Sequence, residues 1–226
     1  MLKAIIFDCD GVIADTEPLH LHALKEVLQE ENIIITDREY YREFLALDDR
    51  GCFTKALSTS GHPLTQEKLS DLITRKAAYL EPVMHSQLQI FPGVKDFVRT
   101  VSTRFPLAIA SGARREEIDL ILKYGDLQEF FPVIISTEDV ALGKPHPESF
   151  LKAWALLNER SEAPIGQHEC LVVEDSFHGI HAAHSAGMRC LAITNSYPPD
   201  SLSEADLILD SLLSIAIDRL QSIFEK

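Results

Sequence analysis

The sequence lacks most of the features that mark secreted, membrane-bound or nucleic-acid-binding proteins. Its four cysteines are scattered without a CxxC pair, which is typical of reduced thiols in a cytoplasmic protein rather than of a disulfide framework or a zinc site. The apolar run Ala4-Ile5-Ile6 is too short for a signal peptide or a membrane span. A formal net charge of -14 argues against nucleic acid and anionic membranes as partners. We therefore expect a cytoplasmic protein with a small ligand.

What the chain does contain is enough apolar material for a complete core. With 226 residues, 46% of them hydrophobic, it suits one large domain or one domain with an inserted module. Between Pro18 and about Leu80 apolar residues recur at helical spacing, and no convincing strand pattern interrupts them. Elsewhere strand and helix patterns alternate, which predicts an α/β fold with a parallel sheet covered on both faces. The predicted strands lie at 3–7, 107–110, 133–135, 170–173, 190–193 and 207–209.

Acidic residues crowd the end of the first predicted strand. Asp8, Asp10, Asp15 and Glu17 place four carboxylates within ten residues. At the end of a buried strand these charges would repel one another, so the cluster needs a proton or a cation. This pattern is the first indication of a metal site.

Further polar residues lie at or near the ends of other predicted strands. Ser111 and Gly112 follow one strand, Lys144 lies in the loop after another, and Glu174 with Asp175 ends a third. Open parallel α/β sheets bind ligands at the carboxyl ends of their strands, so we expect these groups to converge with the first acids. Carboxylates, a lysine, a hydroxyl and backbone amides at one rim suit magnesium-assisted transfer of a phosphoryl group.

Four ordered motifs resemble those of the haloacid dehalogenase superfamily. They are the stretch from Asp8 to Glu17, the Ser111-Gly112 pair, Gly-Lys-Pro-x-Pro-Glu from Gly143, and Val-Glu-Asp-Ser-x-x-Gly-Ile from Val173. Over nearly the whole chain the pattern is similar to that of β-phosphoglucomutases and related sugar-phosphate phosphatases. The resemblance implies a doubly wound, Rossmann-like parallel sheet core with an inserted α-helical cap. The core would comprise residues 1–15 and 89–226, and the cap residues 16–88.

The resemblance also implies a role for each motif residue. Asp8 would attack phosphorus and become an aspartyl phosphate, while Asp10 would act as the acid and the base. Ser111, Gly112 and Lys144 would bind the transferring phosphoryl group. The implied cofactor is Mg²⁺, and its implied ligands are Asp8, the backbone carbonyl of Asp10, Asp175 and Glu174.

The implied substrate contacts of the cap are Thr16, His20, Arg50 and Lys76. Thr16 and His20 lie where caps of this family face the substrate, and a surface position is the open alternative for both. Arg50 resembles a cap arginine that contacts a distal anionic group, since its planar donor fork suits phosphate. Lys76 is placed to approach His20, with a solvated lysine as the default interpretation.

Other polar groups have simpler interpretations. Glu17 is expected to solvate or cap the start of the first cap helix. His178, His181 and His184 are spaced three apart, and we expect a solvated helix face there rather than a metal site.

The predicted function is a Mg²⁺-dependent phosphatase that hydrolyses a small phosphorylated metabolite, a sugar phosphate, through an aspartyl-phosphate intermediate. A sugar phosphomutase is the alternative, although the lysine that such mutases carry before the cap arginine is replaced here by Ala46 and Leu47. Dehalogenation is disfavoured because those relatives lack an aspartate at the position of Asp10. A phosphoacceptor signalling domain is a remote alternative, disfavoured by the helical insertion. The predicted assembly is a monomer or a weak homo-oligomer.

Overall fold

Six parallel strands form the central sheet of the protein. The computed structural model describes residues 1–45, 47–213 and 215–225. The strands in these residues are β1 (Ala4–Phe7), β2 (Leu107–Ala110), β3 (Val133–Ile135), β4 (Cys170–Glu174), β5 (Arg189–Ile193) and β6 (Leu207–Leu209). Their order across the sheet is β3-β2-β1-β4-β5-β6, and every neighbouring pair is parallel. The order reverses between β1 and β4, so a ligand crevice is expected beyond the carboxyl ends of these two strands.

Nine α-helices accompany the strands in the described part of the chain. They are α1 (Glu17–Glu30), α2 (Asp37–Glu43), α3 (Asp49–Thr59), α4 (Gln66–Gln87), α5 (Val94–Ser102), α6 (Arg115–Tyr124), α7 (Glu148–Glu159), α8 (Phe177–Ser185) and α9 (Ile217–Gln221). A single 3-10 turn, Ser222–Phe224, follows α9, so the predicted closing helix to Phe224 is shorter than expected.

Successive residues of each strand point to opposite sides of the sheet. Because the strands are apolar along their length, both faces of the sheet carry apolar side chains. Ala4 and Ile6 belong to the cluster that buries Phe150 of α7 and Ile180 of α8. On the other face the ring of Phe7 lies edge-to-face with Phe97 of α5 at 5.9 Å and with Phe131 at 5.5 Å between centroids.

This arrangement explains why β1 is apolar along its whole length, since both of its faces are buried. It confirms the predicted α/β class with a doubly wound, Rossmann-like parallel sheet.

Helices α1 to α4 form a second apolar core of their own. Helix α4 packs against α1 and α3, and the buried residues include Leu24, Phe53 and Leu72. Three of these helices are preceded by an N-cap residue whose side-chain oxygen accepts a backbone hydrogen bond. The three N-caps are Thr36 before α2, Asp48 before α3 and Thr65 before α4.

The chain divides into two compact units, each with a core of its own. The sheet unit comprises Met1–Asp15 and Ile90–Lys226, and the helical unit comprises Thr16–Gln89. The predicted boundary between residues 88 and 89 lies one residue before the boundary of these units, and the assignment of the helical unit as a cap stays a prediction.

The helical unit divides the sheet unit into two chain segments, and the ends of these segments are hydrogen-bonded to each other. Ala14 and Ile90 form an antiparallel bridge, and the amide of Phe91 donates to the carbonyl of Ile13 at 3.1 Å. The chain therefore leaves the sheet unit and returns to it at neighbouring points. In the described residues, no helix is both long and apolar enough to cross a membrane.

Candidate active site

A half-buried lysine joins two buried carboxylates at the carboxyl ends of β1 and β4. Asp8 follows the last residue of β1, and Glu174 is the last residue of β4. Lys144 Nζ donates to Asp8 Oδ1 and to Glu174 Oε1, each at 2.6 Å. The ammonium also lies 4.8 Å from the ring centroid of Phe150, which covers it with an apolar face. The sheet topology thus brings together three charged groups that are far apart in sequence.

The shared lysine does not neutralise both carboxylates equally. Burial raises the pKa of Asp8 to about 7, and the charges of Glu174 and Asp10 add to this effect although Lys144 opposes it. Burial also opposes ionisation of Glu174, but the charge and hydrogen bond of Lys144, with hydrogen bonds from Ser176, lower the pKa of Glu174. The pKa of Lys144 is raised by its two carboxylate partners against the effect of burial. One cation is therefore insufficient for the negative charge of this site.

The backbone of Ser176 and Asp175 holds the Glu174 carboxylate from its other side. Glu174 Oε2 accepts from the amide of Asp175 at 2.9 Å, the amide of Ser176 at 3.0 Å and the Ser176 hydroxyl at 2.9 Å. Gly179, in the first turn of α8, leaves the space that this carboxylate fills, because a Cβ there would overlap the Glu174 carboxylate. The start of α8 therefore fixes one carboxylate of the site.

A second glycine makes room for Asp175. Gly11 has φ of 72°, a left-handed conformation that favours glycine, and a Cβ at this position would overlap the carboxylate of Asp175. The turn after β1 and the end of β4 therefore approach each other through a residue without a side chain.

Three of the buried acids can bind one metal ion. Asp8, Glu174 and Asp175 each offer a carboxylate oxygen, and these oxygens lie within 4.8 Å of one another. Oxygen donors of this type suit Mg²⁺, and a divalent cation would supply the positive charge that Lys144 alone does not. The residues present therefore fit the predicted cofactor. The carbonyl of Asp10, which is also a predicted ligand, belongs to the turn that follows β1.

Two of the three predicted phosphate-binding residues, Ser111 and Gly112, follow the neighbouring strand β2. Ser111 is buried, and its hydroxyl lies 3.5 Å from Asp10 Oδ2 and accepts from the amide of Ala113 at 3.1 Å. Gly112 is exposed, with nothing within 4 Å of the position that a Cβ would take. The structure thus brings Ser111 next to the second aspartate and leaves open space beside the Gly112 backbone.

Sequence reasoning missed two residues that follow β5. The hydroxyl of Ser196 donates to Asp175 Oδ2 in a short contact, and Asn195 Nδ2 donates to the carbonyl of Gly11 at 2.7 Å. Both follow the carboxyl end of a parallel strand, which is the same signal that identified the other residues. These contacts orient one candidate metal ligand and the turn that carries Asp10.

The predicted cap residues lie in the helical unit, where two of them contact each other. Lys76 Nζ lies 3.0 Å from His20 Nδ1, which is the approach given as the alternative to a solvated lysine, and it also donates to Asp49 in a short contact. The default of a solvated Lys76 is wrong, because this residue is only 3% exposed. Thr16 is fully buried at the N-terminus of α1, so its alternative surface position is also wrong.

The other cap predictions have different outcomes. Arg50 is exposed at the start of α3, and its Nη1 donates to Gln66 Oε1 at 2.9 Å. Glu17 accepts from the hydroxyl of Tyr40 at 2.8 Å and so links α1 to α2, which corrects its interpretation as a merely solvating or capping residue. Ala46 lies outside the described residues.

The three histidines of α8 are on or near the surface. His181 and His184 are exposed and His178 is half-buried. His184 Nε2 lies 3.0 Å from Asp206 Oδ2, a carboxylate contact that the sequence pattern gave no reason to expect.

The haloacid dehalogenase-like hydrolase family matches residues 5–193 of the chain, and the protein belongs to this family. Protein CbbY of Rhodobacter capsulatus is 29% identical over 98% of this chain and 99% of its own. Phosphorylated carbohydrates phosphatase of Thermotoga maritima is 30% identical over 83% of this chain and 82% of its own. The structure of a β-phosphoglucomutase from Clostridium difficile has the same fold, with a TM-score of 0.86 at 23% identity over 100% of this chain and 98% of that one.

These comparisons confirm that the four motifs identify a haloacid dehalogenase-like hydrolase, with CbbY proteins, phosphatases and β-phosphoglucomutases among its relatives and structural neighbours. They also confirm the predicted enzyme class, which is a phosphoric monoester hydrolase.

Proposed function

We propose that the protein is a Mg²⁺-dependent phosphatase that hydrolyses a small phosphorylated metabolite, in particular a sugar phosphate. The observation that carries this proposal is the half-buried Lys144, which contacts Asp8 and Glu174 at 2.6 Å within a cluster of three carboxylates that can bind a metal. A dianionic phosphoryl group needs this combination of a nucleophile and several cations. The name of the phosphatase relative supports the substrate class.

In the first half-reaction Asp8 acts as the nucleophile. Its carboxylate oxygen attacks phosphorus, and the bond from phosphorus to the ester oxygen breaks as the new bond forms. Asp10 gives its proton to the departing oxygen, which leaves as an alcohol. The products of this step are the free alcohol and an aspartyl phosphate on Asp8.

In the second half-reaction a water molecule replaces the alcohol. Asp10, now a carboxylate, accepts a proton from the water as the oxygen attacks phosphorus. The bond to the Asp8 oxygen breaks, and inorganic phosphate is released. Ser111, the Gly112 amide and Lys144 hold the phosphoryl oxygens in both steps.

The carboxylates of Asp8, Glu174 and Asp175, with the carbonyl of Asp10, would hold Mg²⁺. When bound, the ion supplies positive charge that neutralises the phosphoryl oxygens and the crowded acids.

The remaining contacts to the substrate are assigned to the helical unit. Thr16, His20, Arg50 and Lys76 are proposed to contact the part of the substrate that does not carry the transferring phosphoryl group. Arg50 is suited to a distal anion because it is exposed. In the described residues its guanidinium donates to one side chain, the neutral Gln66.

A panel of sugar phosphates, incubated with the protein and Mg²⁺, tests the proposed function. Free phosphate and isomerised sugar phosphate are both measured. Rapid phosphate release from one ester, lost when EDTA is added, is the expected result. Conversion of a 1-phosphate to a 6-phosphate without release would identify the alternative, a sugar phosphomutase. Absence of both products with every ester would overturn the proposal.

A further inference from the structure

The loop 140–147 carries Lys144 and has little apolar packing around its middle. It runs from a 3-10 turn, Thr137–Asp139, to the start of α7. Ala141 and Leu142 are exposed, and Leu142 is 54% exposed. Segments without apolar contacts open readily, whereas Lys144 holds its ammonium 2.6 Å from each of two carboxylates. Interactions other than packing are therefore needed to fix this part of the loop.

Glu148, the first residue of α7, binds the loop through both of its carboxylate oxygens. Oε1 accepts from the amide of Ala141 and Oε2 accepts from the amide of Leu142, each at 3.1 Å. Only Gly143 separates the second of these amides from Lys144. The carboxylate thus supplies, just before the lysine, the contacts that apolar side chains do not.

Lys152, in the next turn of α7, holds the carboxylate of Glu148 in place. Its Nζ lies 2.7 Å from Glu148 Oε1 and donates to the carbonyl of Asp139 at 2.6 Å. Asp139 accepts in turn from the amide and the hydroxyl of Ser136, both at 2.8 Å. The hydrogen bond from Lys152 lowers the pKa of Glu148 to about 2, and the two loop amides add to this effect. Glu148 is therefore an ionised acceptor at neutral pH, within polar contacts that run from the end of β3 to α7.

A simpler role for Glu148 is stabilisation of the helix alone. An acid in the first turn interacts favourably with the positive end of a helix, and the N-cap residue Pro147 makes no side-chain hydrogen bond there. The amides that Glu148 binds, however, belong to the loop before α7 and not to the helix. An acid that served only the helix dipole would need neither contact.

We propose that Glu148 is a positioning residue that holds Lys144 between Asp8 and Glu174, and that Lys152 in turn holds Glu148. The ammonium is then in place before an ester binds, so less ordering is needed during the reaction. The effect on turnover rests on the proposed function, in which Lys144 binds the transferring phosphoryl group, whereas the anchoring of the loop does not.

NMR of the full chain without an ester measures the loop and the lysine directly. In the native protein the amides of Ala141 and Leu142 should exchange their hydrogens slowly although both residues are exposed. Glu148→Gln should accelerate this exchange about tenfold, because a glutamine side chain can accept at one oxygen only. Relaxation of carbon-13-labelled lysine ε-methylene groups, with Lys144→Met identifying the signal, should show a rigid Lys144 that becomes mobile in Glu148→Gln. Unchanged exchange, or a lysine that stays rigid, would overturn the proposal.

Matched variants separate positioning from a general effect on helices. Asp96→Asn removes an exposed acid from the first turn of α5, so it changes a helix dipole interaction without touching the loop, and it should alter neither NMR measurement. Lys152→Met should shift both measurements in the direction of Glu148→Gln by a smaller amount, and no shift would remove Lys152 from the proposal. If Glu148→Gln does not fold, as judged by circular dichroism, Lys152→Met decides the matter, because the Lys152 side chain is 46% exposed.

Kinetics with a sugar phosphate and with a generic aryl phosphate, both with Mg²⁺, test the effect on turnover. We expect Glu148→Gln to lower kcat about tenfold with both esters, since Lys144 would contact the phosphoryl group that they share. An unchanged kcat, or a loss confined to the sugar phosphate, would overturn the role of Glu148 in turnover. A native protein that hydrolyses no ester would instead refute the proposed function, and the NMR result would still decide whether Glu148 holds Lys144.

Discussion

Two lysines of low exposure lie in different surroundings, one in each unit, with side chains that are 13% exposed at Lys144 and 4% exposed at Lys76. Lys144 in the sheet unit contacts two carboxylates that are themselves buried, Asp8 and Glu174. Lys76 in the helical unit contacts the carboxylate of Asp49 and the imidazole of His20. Two buried carboxylates contact the first lysine, whereas a partly exposed carboxylate and an imidazole ring contact the second.

This difference in surroundings indicates a different electrostatic effect for each lysine. Negative charge exceeds positive charge around Lys144, so the site retains affinity for a further cation and for a proton, and the pKa of Asp8 rises to about 7. At Lys76 the ammonium contacts the partly exposed carboxylate of Asp49 and the imidazole of His20. The effect of a lysine of low exposure on its neighbours therefore depends on the acids that surround it.

The largest expected effect is the loss of turnover when Asp8 is replaced. Asp8→Asn removes the proposed nucleophile while keeping the size of the side chain, so we expect phosphate release to fall on the order of 10⁴- to 10⁶-fold. Steady-state phosphate release with the best ester is the measurement. Asp200→Asn, at an exposed position, is the control and should keep full activity. Near-normal turnover in Asp8→Asn would remove this residue from the role.

The two lysines should differ in stability when each is replaced by methionine. Lys144→Met leaves two buried carboxylates without a cation, so we expect a loss of about 3–5 kcal/mol in the free energy of unfolding without Mg²⁺. Lys76→Met leaves Asp49, whose side chain is 31% exposed and can be hydrated, so a loss of about 1–2 kcal/mol is expected. Urea unfolding in EDTA measures both.

Added Mg²⁺ should sharpen this contrast. It should recover part of the stability of Lys144→Met, because an ion that binds the folded state stabilises it, and it should not affect Lys76→Met differently from the native protein. Equal losses in the two variants would mean that the surroundings of the lysines are not different in energy.

A change in the packing of Glu174 should have a smaller effect. Gly179→Ala places a methyl group where the carboxylate of Glu174 lies, and displacement of the carboxylate should cost about 1–3 kcal/mol of unfolding free energy. Gly143→Ala is the matched control, since nothing lies within 4 Å of its Cβ position. Thermal unfolding of both variants checks the prediction. A Gly179→Ala protein as stable as the control would show that Glu174 has room to move.

The smallest expected effect concerns the Ser196 hydroxyl. Ser196→Ala removes the hydrogen bond to Asp175, and loss of such a partner of a metal ligand typically weakens metal binding about 10- to 100-fold. Calorimetric titration with Mg²⁺ measures the affinity, and Ser201→Ala, at an exposed position after β5, is the control. Unchanged affinity in Ser196→Ala would mean that Asp175 is oriented without the hydroxyl, or does not bind the ion.

Much of the fold was predictable because the strand pattern and the helix pattern are both local in the sequence. Strands β2, β3 and β6 have the predicted bounds, since each is a short apolar run between polar residues. The pairing order of the strands was not predictable from these runs, because it depends on contacts between distant segments. The parallel α/β class needed only the alternation of strand and helix patterns.

The candidate site was predictable where a residue follows a strand within a recognisable motif. Asp8, Ser111 and Glu174 satisfy this condition. Ser196 follows a strand too, but a lone serine carries no motif, so its contact with Asp175 emerged only from the structure. The same is true of Asp49, because its ion pair with Lys76 crosses from one helix to another and no spacing along the chain indicates it.

The bridge between Ala14 and Ile90 has a consequence for how enzymes of this kind diversify. For the sheet unit, everything from residue 16 to residue 89 is a single loop whose two ends are already held together. The entropy of closing a loop grows only with the logarithm of its length, by about 0.6 kcal/mol for each doubling. A longer, shorter or unrelated folded segment can therefore be exchanged at this point with little cost to the sheet. The inserted segment can therefore change while Asp8 and Asp10 keep their positions after β1.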